Sequence, residues 1–383
     1  MAAHIDVQGF CDPLFAGVET AFERNFIDHG EVGASFSLYM EGELVVDLWA
    51  GISDRDGVKP WQQTTQVNVF SVTKGVLITC LLSLVDRGDI DLDAAVADYW
   101  PAFAAGGKQG ITVRTLLNHC AGLPVLPAEV EAGDIFNWPT MTDKIQRQSP
   151  IWPAGDRQAY HVFSYGWLLG ELIRRVSGES VGAFFHRRFA EPLGLNFTIG
   201  IAADLGAIAD VAPMADAGAV RQGGSIARLI ESQPDSVAAR AFTTPLSMMT
   251  GINSTAWRRA EIPAANGHSD AGSIAKLYSS LVLGDILSPA LLRQCWGQAA
   301  PVFDEVLLQP VAFNLGFMAG QSRPASLFSG SERSFGHPGA GGSMGFADLD
   351  YQFGCGYVTN RLGQGALTDP RAQRLIDAVY RSL

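Results

Sequence analysis

Lysine is scarce in this chain of 383 residues: Lys59, Lys74, Lys108, Lys144 and Lys276 are its five, and the other 22 of its 27 basic residues are arginine. Lysine-dependent chemistry therefore has few candidates. Positive charge is scarce overall, with 39 acidic residues setting a formal charge of −12 and no basic cluster of the kind that nucleic acid or an anionic membrane surface requires. Cysteine is sparse and scattered. Cys11, Cys80, Cys120, Cys295 and Cys355 form no C-x-x-C pair, which excludes the common zinc and dithiol motifs and predicts a reduced, cytoplasmic location. Long apolar runs are missing as well: Val76 to Val85 is the longest, against the ~18 residues that cross a bilayer. The opening residues MAAHIDVQGF lack the basic-then-apolar pattern of a secretory leader. A small-molecule substrate is expected, without nucleic acid, membrane, metal or cofactor.

What is present is the composition of a packed globular protein, 47% apolar and 17% charged, long enough for two domains. Leu14, Val18, Phe22 and Phe26 recur every four residues and predict an amphipathic helix over Pro13 to His29. Ala34 to Met40 and Leu44 to Ala50, separated by Glu41-Gly42-Glu43, predict a β-hairpin. Val67 to Phe70 reads as a short strand leading into an apolar helix from Ser71 to Asp86. The middle reads as helical at Val113–His119, Tyr165–Val176, Val181–Phe189 and Ser273–Leu283. Strands return at Gly345–Ala347 and Gln352–Val358 before a closing helix over Pro370–Leu383. The expected fold class is α/β of the α+β kind, an antiparallel sheet built from both chain ends and flanked by terminal helices, with a mainly helical insertion. The expected units are 1–75 with 305–383 and 76–304, part of about 171–230 packing with the former, and the site at their junction.

Three serines are candidate nucleophiles. Ser71-Val72-Thr73-Lys74 is an S-x-x-K tetrad at a predicted helix start, where a three-residue step sets the lysine amine beside the serine hydroxyl. A serine hydroxyl needs a base to become nucleophilic, and a lysine serves when burial or a nearby cation lowers its pKa. The helix N-terminus adds N–H donors suited to an oxyanion. By chance alone, 26 serines and five lysines give roughly a third of one such match. The chain has two, the other being Ser273-Ile274-Ala275-Lys276, where the serine reads as an N-cap or first-turn residue and the lysine as solvated. Gly341-Gly342-Ser343-Met344-Gly345 matches the G-x-S-x-G elbow. Its surroundings argue against that role: His337-Pro338-Gly339-Ala340 does not read as an apolar strand, strand-like residues follow, and no histidine lies downstream.

Further segments fall in order behind Ser71-x-x-Lys74. They are Thr112 to Pro124, then Pro153 to Tyr160 with Tyr165-Gly166-Trp167-Leu168-Leu169-Gly170, then Phe335-Gly336-His337-Pro338-Gly339 followed by Gly341 to Phe346. In these motifs the chain resembles serine hydrolases of the class C β-lactamase fold, and among them the family VIII carboxylesterases. The resemblance implies an acyl-enzyme on Ser71, with Lys74 and Tyr160 sharing the proton transfers and a neighbouring ammonium favouring the tyrosine phenolate. It implies an oxyanion hole from the backbone N–H groups of Ser71 and Ala340, with His337 and Gly339 supporting the site where lactamases carry K-T-G. Tyr160-His161-Val162 stands where lactamases have Y-x-N, and His337 replaces a permanent cation. Both departures favour small esters over β-lactams. The other activities carried by this fold, β-lactam hydrolysis, D-amino-acid amidase or peptidase action and acyl transfer, stand as alternatives, as does a non-catalytic binding role. His119 and His161 are expected to be structural. Ser71→Ala is expected to abolish hydrolysis of a short p-nitrophenyl ester, while Ser273→Ala and Ser343→Ala retain it; a loss confined to Ser343→Ala would overturn the assignment.

Overall fold

An edge strand that the sequence did not mark, β1 (Gln8–Cys11), pairs with the expected hairpin, whose arms are β2 (Gly33–Met40) and β3 (Glu43–Gly51), all antiparallel. Glu41 and Gly42 close the β2–β3 hairpin with φ of 49° and 88°, the left-handed pair whose twist matches that of the flanking strands. The structure is a computed structural model that describes residues 5–201, 208–212, 226–245, 251–297, 299–320, 328, 330–363, 367 and 369–383. Parts of the stretch 171–230 considered above thus lie outside the described residues.

A second, small sheet joins β4 (Val67–Asn68), β5 (Phe197–Ile199) and β6 (Gly267–Ser269) in the order β4-β6-β5. The sequence reading had only β4 of these. A hairpin of β7 (Val302–Asp304) and β8 (Gln309–Val311) follows, then β9 (Phe313–Asn314), β10 (Phe317–Ala319), β11 (Ser334–Pro338), β12 (Met344–Asp348) and β13 (Phe353–Thr359). The main sheet runs β1-β3-β2-β13-β12-β11-β10-β9. The β2–β13 pairing, Ala34 opposite Thr359 through Met40 opposite Phe353, joins the two ends of the chain inside that sheet. The mixed α/β fold class with its antiparallel sheet is as expected.

Helices cover both faces of that sheet. Helix α1 (Ala16–His29) packs against the C-terminal helix Pro370–Ser382. The Ala271–Leu283 helix packs on β2, β12 and β13. It lies so close that a Cβ on Gly356 would stand 2.3 Å from the Ala271 carbonyl oxygen, and one on Gly354 2.4 Å from that of Ala275. Alternate glycines in β13 thus let a helix rest on strand backbone. Helix α2 (Val72–Asp86) is buried from Val72 to Leu84, as its all-round apolar sequence requires. It runs between β11 and the Ser164–Ser177 helix. The expected helix over Val181–Phe189 is α-helical only to Phe185 and continues as a π turn over His186–Ala190.

The start of α2 is pinned by one side chain. Thr73 Oγ1 donates to the Phe70 carbonyl at 2.5 Å and accepts from the Gly267 N–H at 2.9 Å, tying the helix to β6. Phe70 itself is buried with φ of 47°, a conformation costly for a non-glycine residue unless the surroundings impose it. Thr73→Val keeps the shape and strands the Gly267 N–H, while the Phe70 carbonyl still accepts from the Thr73 N–H at 3.0 Å, so a stability loss of about 1–3 kcal/mol is expected by urea denaturation.

Candidate active site

Ser71 follows the strained Phe70 and stands at the N-cap of α2, partly exposed while the residues after it are buried. The 67–70 segment is held to β6 by the Val69 N–H, which donates to the Gly267 carbonyl at 2.9 Å. Small-sheet pairing and the left-handed Phe70 thus deliver the serine to an accessible edge of a buried helix.

Lys74 is one turn in and has no solvent exposure. Its Nζ lies 2.7 Å from the Val162 carbonyl, 2.9 Å from the Ala264 carbonyl and 3.1 Å from Ser71 Oγ. Burial without a carboxylate partner pushes its pKa well below the ordinary lysine value. A neutral amine has two N–H donors and one lone pair. With the donors spent on the two carbonyls, the lone pair is left for the Ser71 hydroxyl. This is the arrangement of a base poised on a nucleophile.

Tyr160 closes the cluster: Lys74 Nζ stands 4.8 Å from its ring centroid, and the Ser71 side chain is near enough to its phenol to act on its pKa. Burial raises the phenol above its usual range, the Ser71 contact lowers it, and the nearby Asp304 raises it further. The neutral phenol is thus the resting form. This corrects the expected ammonium-supported phenolate, because the same dry surroundings that disfavour a phenolate also disfavour the ammonium that was to support it. Asp304, absent from the sequence reading, fixes the segment from beneath. It is fully buried in β7, and its Oδ1 accepts from the N–H groups of Tyr160, Val306 and Leu307 at 3.0, 2.9 and 2.9 Å. Nothing local in the sequence marks an aspartate that acts 144 residues away.

His337 is the last residue but one of β11, its ring centroid 5.9 Å from that of Tyr160. Its Nδ1 is 2.7 Å from the Pro338 carbonyl, which can only accept, so Nδ1 carries the hydrogen. Burial first, then Lys74, hold the ring neutral with a pKa down to about 3. A permanent cation is therefore absent where K-T-G enzymes carry one. Gly339 abuts the nucleophile segment, since a Cβ there would lie 2.4 Å from the Val69 carbonyl oxygen. Ala340 follows it, partly exposed like Ser71. Among the described residues neither the Ser71 nor the Ala340 N–H has a protein acceptor.

The other candidates separate from this cluster. Ser273 lies in the first turn of its helix, where Asp270 is the cap and the Ser273 hydroxyl accepts from the Asn196 N–H at 2.8 Å. Its partner Lys276 is half-buried on the same helix. Ser343 is buried in the turn between β11 and β12. A strand does precede it, contrary to the sequence reading, but the next element is the antiparallel β12 rather than a helix. His161 Nδ1 lies 2.6 Å from the Ala159 carbonyl, and its Nε2 accepts from the Leu123 N–H at 3.3 Å; His119 Nδ1 accepts from the His161 N–H at 3.0 Å. Both rings brace backbone around the tyrosine.

Residues 18–378 match the protein family described as Beta-lactamase. The crystal structure of a family VIII carboxylesterase superposes with a TM-score of 0.89 at 36% identity, covering 99% of this chain and 100% of that one. The esterase/beta-lactamase LipL of Mycobacterium tuberculosis is 33% identical over 371 residues, 93% of this chain and 83% of its own length. Esterase EstB of Burkholderia gladioli is 28% identical over 213 residues, 51% of this chain and 54% of its own.

A lysine base must be unprotonated, so kcat/KM is expected to rise as pH passes upward through the depressed Lys74 pKa and to be on its plateau far below pH 10.5. Lys74→Arg, a cation that does not deprotonate, is expected to lower turnover by about 10²- to 10⁴-fold. A pH–rate profile checks both; an acid limb centred near 10 would contradict the depressed lysine.

Proposed function

The chain belongs to the beta-lactamase family, and we propose that within it this protein is a serine carboxylesterase of the family VIII kind, cleaving small carboxylic esters through an acyl-enzyme on Ser71. The observation that carries the reading is the contact of Lys74 Nζ with Ser71 Oγ at 3.1 Å, with both other Nζ contacts made to carbonyls. Lys74 takes the hydroxyl proton as Ser71 Oγ attacks the ester carbonyl. The tetrahedral oxyanion is received by the N–H groups of Ser71 and Ala340, donors of a type worth roughly 3 kcal/mol each. Collapse breaks the ester C–O bond, Tyr160 gives its phenolic proton to the departing alkoxide, and the Lys74 ammonium reprotonates Tyr160. Water then attacks the acyl-enzyme by the reverse proton path, releasing the acid and restoring Ser71.

The neutral His337 supports esters over substrates that need a cation for a carboxylate. Val162 supports them too, offering a carbonyl to Lys74 and an apolar side chain where lactamases carry the amide of Y-x-N. Hydrolysis of small β-lactams is the second reading, favoured by the relative named esterase/beta-lactamase. We propose that the site lies between a unit of both chain ends, 1–75 with 305–383, and the inserted residues 76–304. All five cysteines are free, which supports a reducing, cytoplasmic setting.

The test is to trap the nucleophile with a serine-directed fluorophosphonate, map the adduct by mass spectrometry, and compare turnover of a short-chain ester, a cephalosporin and a D-amino-acid amide. An adduct on Ser71 with the ester turned over fastest is expected. No adduct would favour a binding protein, and faster amide or cephalosporin turnover would replace the esterase reading.

A further inference from the structure

The turn that presents Ala340 is governed from outside the catalytic cluster. Its peptide groups form a relay. The Gly339 carbonyl, which shares a peptide plane with the Ala340 N–H, accepts from the Gly342 N–H at 3.2 Å. The Gly342 N–H shares its own plane with the Gly341 carbonyl, and that carbonyl accepts from Arg371 Nη2 at 2.6 Å and from the Gly363 N–H at 2.9 Å. Gly341 and Gly342, with φ of 87° and 120°, hold a backbone path that side chains resist. A Cβ on Gly342 would lie 2.9 Å from Arg371 Nη2, so the turn rests directly on the guanidinium.

Arg371 is buried at the start of the C-terminal helix and fully engaged. Its Nε and Nη2 donate to the two Asp369 oxygens at 2.9 Å each, and its Nη1 donates to both Glu31 oxygens at 3.0 Å and reaches Thr359 Oγ1 at 3.4 Å. Glu31 in turn accepts from the Thr359 hydroxyl at 2.6 Å and from the Tyr357 hydroxyl. Side-chain exposure is 3% for Arg371 and 4% or less for its two carboxylate partners. The guanidinium has no N–H left for a substrate anion, and its planar fork is locked on two sides.

We propose that Arg371 is a positioning residue for the oxyanion hole, holding the Gly341–Gly342 peptide so that this peptide fixes and polarises the one that offers the Ala340 N–H. The inference rests on the Ser71 acyl-enzyme reading. Hydrogen bonds in series strengthen one another, and a donor fixed before the reaction costs no reorganisation as charge develops. The relay therefore acts on the tetrahedral state and leaves ground-state binding nearly untouched.

The experiment compares wild type, Arg371→Met and, as a control one turn along the same helix, Arg374→Met, whose side chain pairs with Asp28 at 3.0 Å. In Arg371→Met, kcat for a short ester is expected to fall about 10- to 100-fold with KM within about twofold. Affinity for a trifluoromethyl ketone, which forms an oxyanion on the serine, is expected to fall in parallel. Arg374→Met is expected to lose stability and keep kcat. Asp369→Asn, which loosens the guanidinium without removing it, gives a smaller kcat loss and serves if Arg371→Met does not fold. A folded Arg371 or Asp369 variant with wild-type kcat, ketone affinity and Ser71 phosphonylation rate overturns the Arg371 assignment alone. A wild type that takes no phosphonate on Ser71 overturns the esterase reading, and this inference with it.

Discussion

The active-site cluster depends on keeping one lysine dry. Lys74 Nζ reaches a carbonyl after the tyrosine, a carbonyl before β6 and the hydroxyl of Ser71, so a single atom ties three distant segments together. The same burial that makes this a crosslink also pushes the amine's pKa well below the ordinary lysine value. Water at this point would loosen the segments and raise that pKa together. Structure and reactivity are thus two results of one desolvation.

Around that atom the fold supplies rigid edges. The strained Phe70 turns Ser71 outward, Asp304 holds the tyrosine backbone, and Gly339 brings the β11–β12 turn flush with Val69. Each of these supports acts through backbone. The reacting side chains can therefore be few, because their placement is fixed by hydrogen bonds that do not themselves take part.

Features with local periodicity or fixed spacing were legible in the sequence. The β2–β3 hairpin follows from two runs set apart by a turn, α1 from its four-residue period and α2 from its apolar run, and Ser71, Lys74 and Tyr160 come together as their motif order implied. Strands of two or three residues such as β5, β6 and β9 show no period, since their existence depends on pairing partners rather than on their own pattern. Asp304 was invisible for the same reason, as was the pairing of Glu31 with Arg371, 340 positions apart. The charge state of Tyr160 was misread because spacing places two groups side by side without saying whether water joins them.

The seam that joins the two ends of the chain, β2 against β13, also bears on how the chain comes into being. Synthesis delivers the nucleophile within the first fifth of the polypeptide, whereas the strand that completes the seam, and the turn beside Ser71, emerge near its end. Until then β2 has one open edge, and closing it requires a loop of roughly three hundred residues, the kind of long-range pairing that slows folding. Reactivity is accordingly a late product of translation: the serine has its lysine three residues on, but waits for almost the whole chain before the turn that offers the Ala340 N–H is in place.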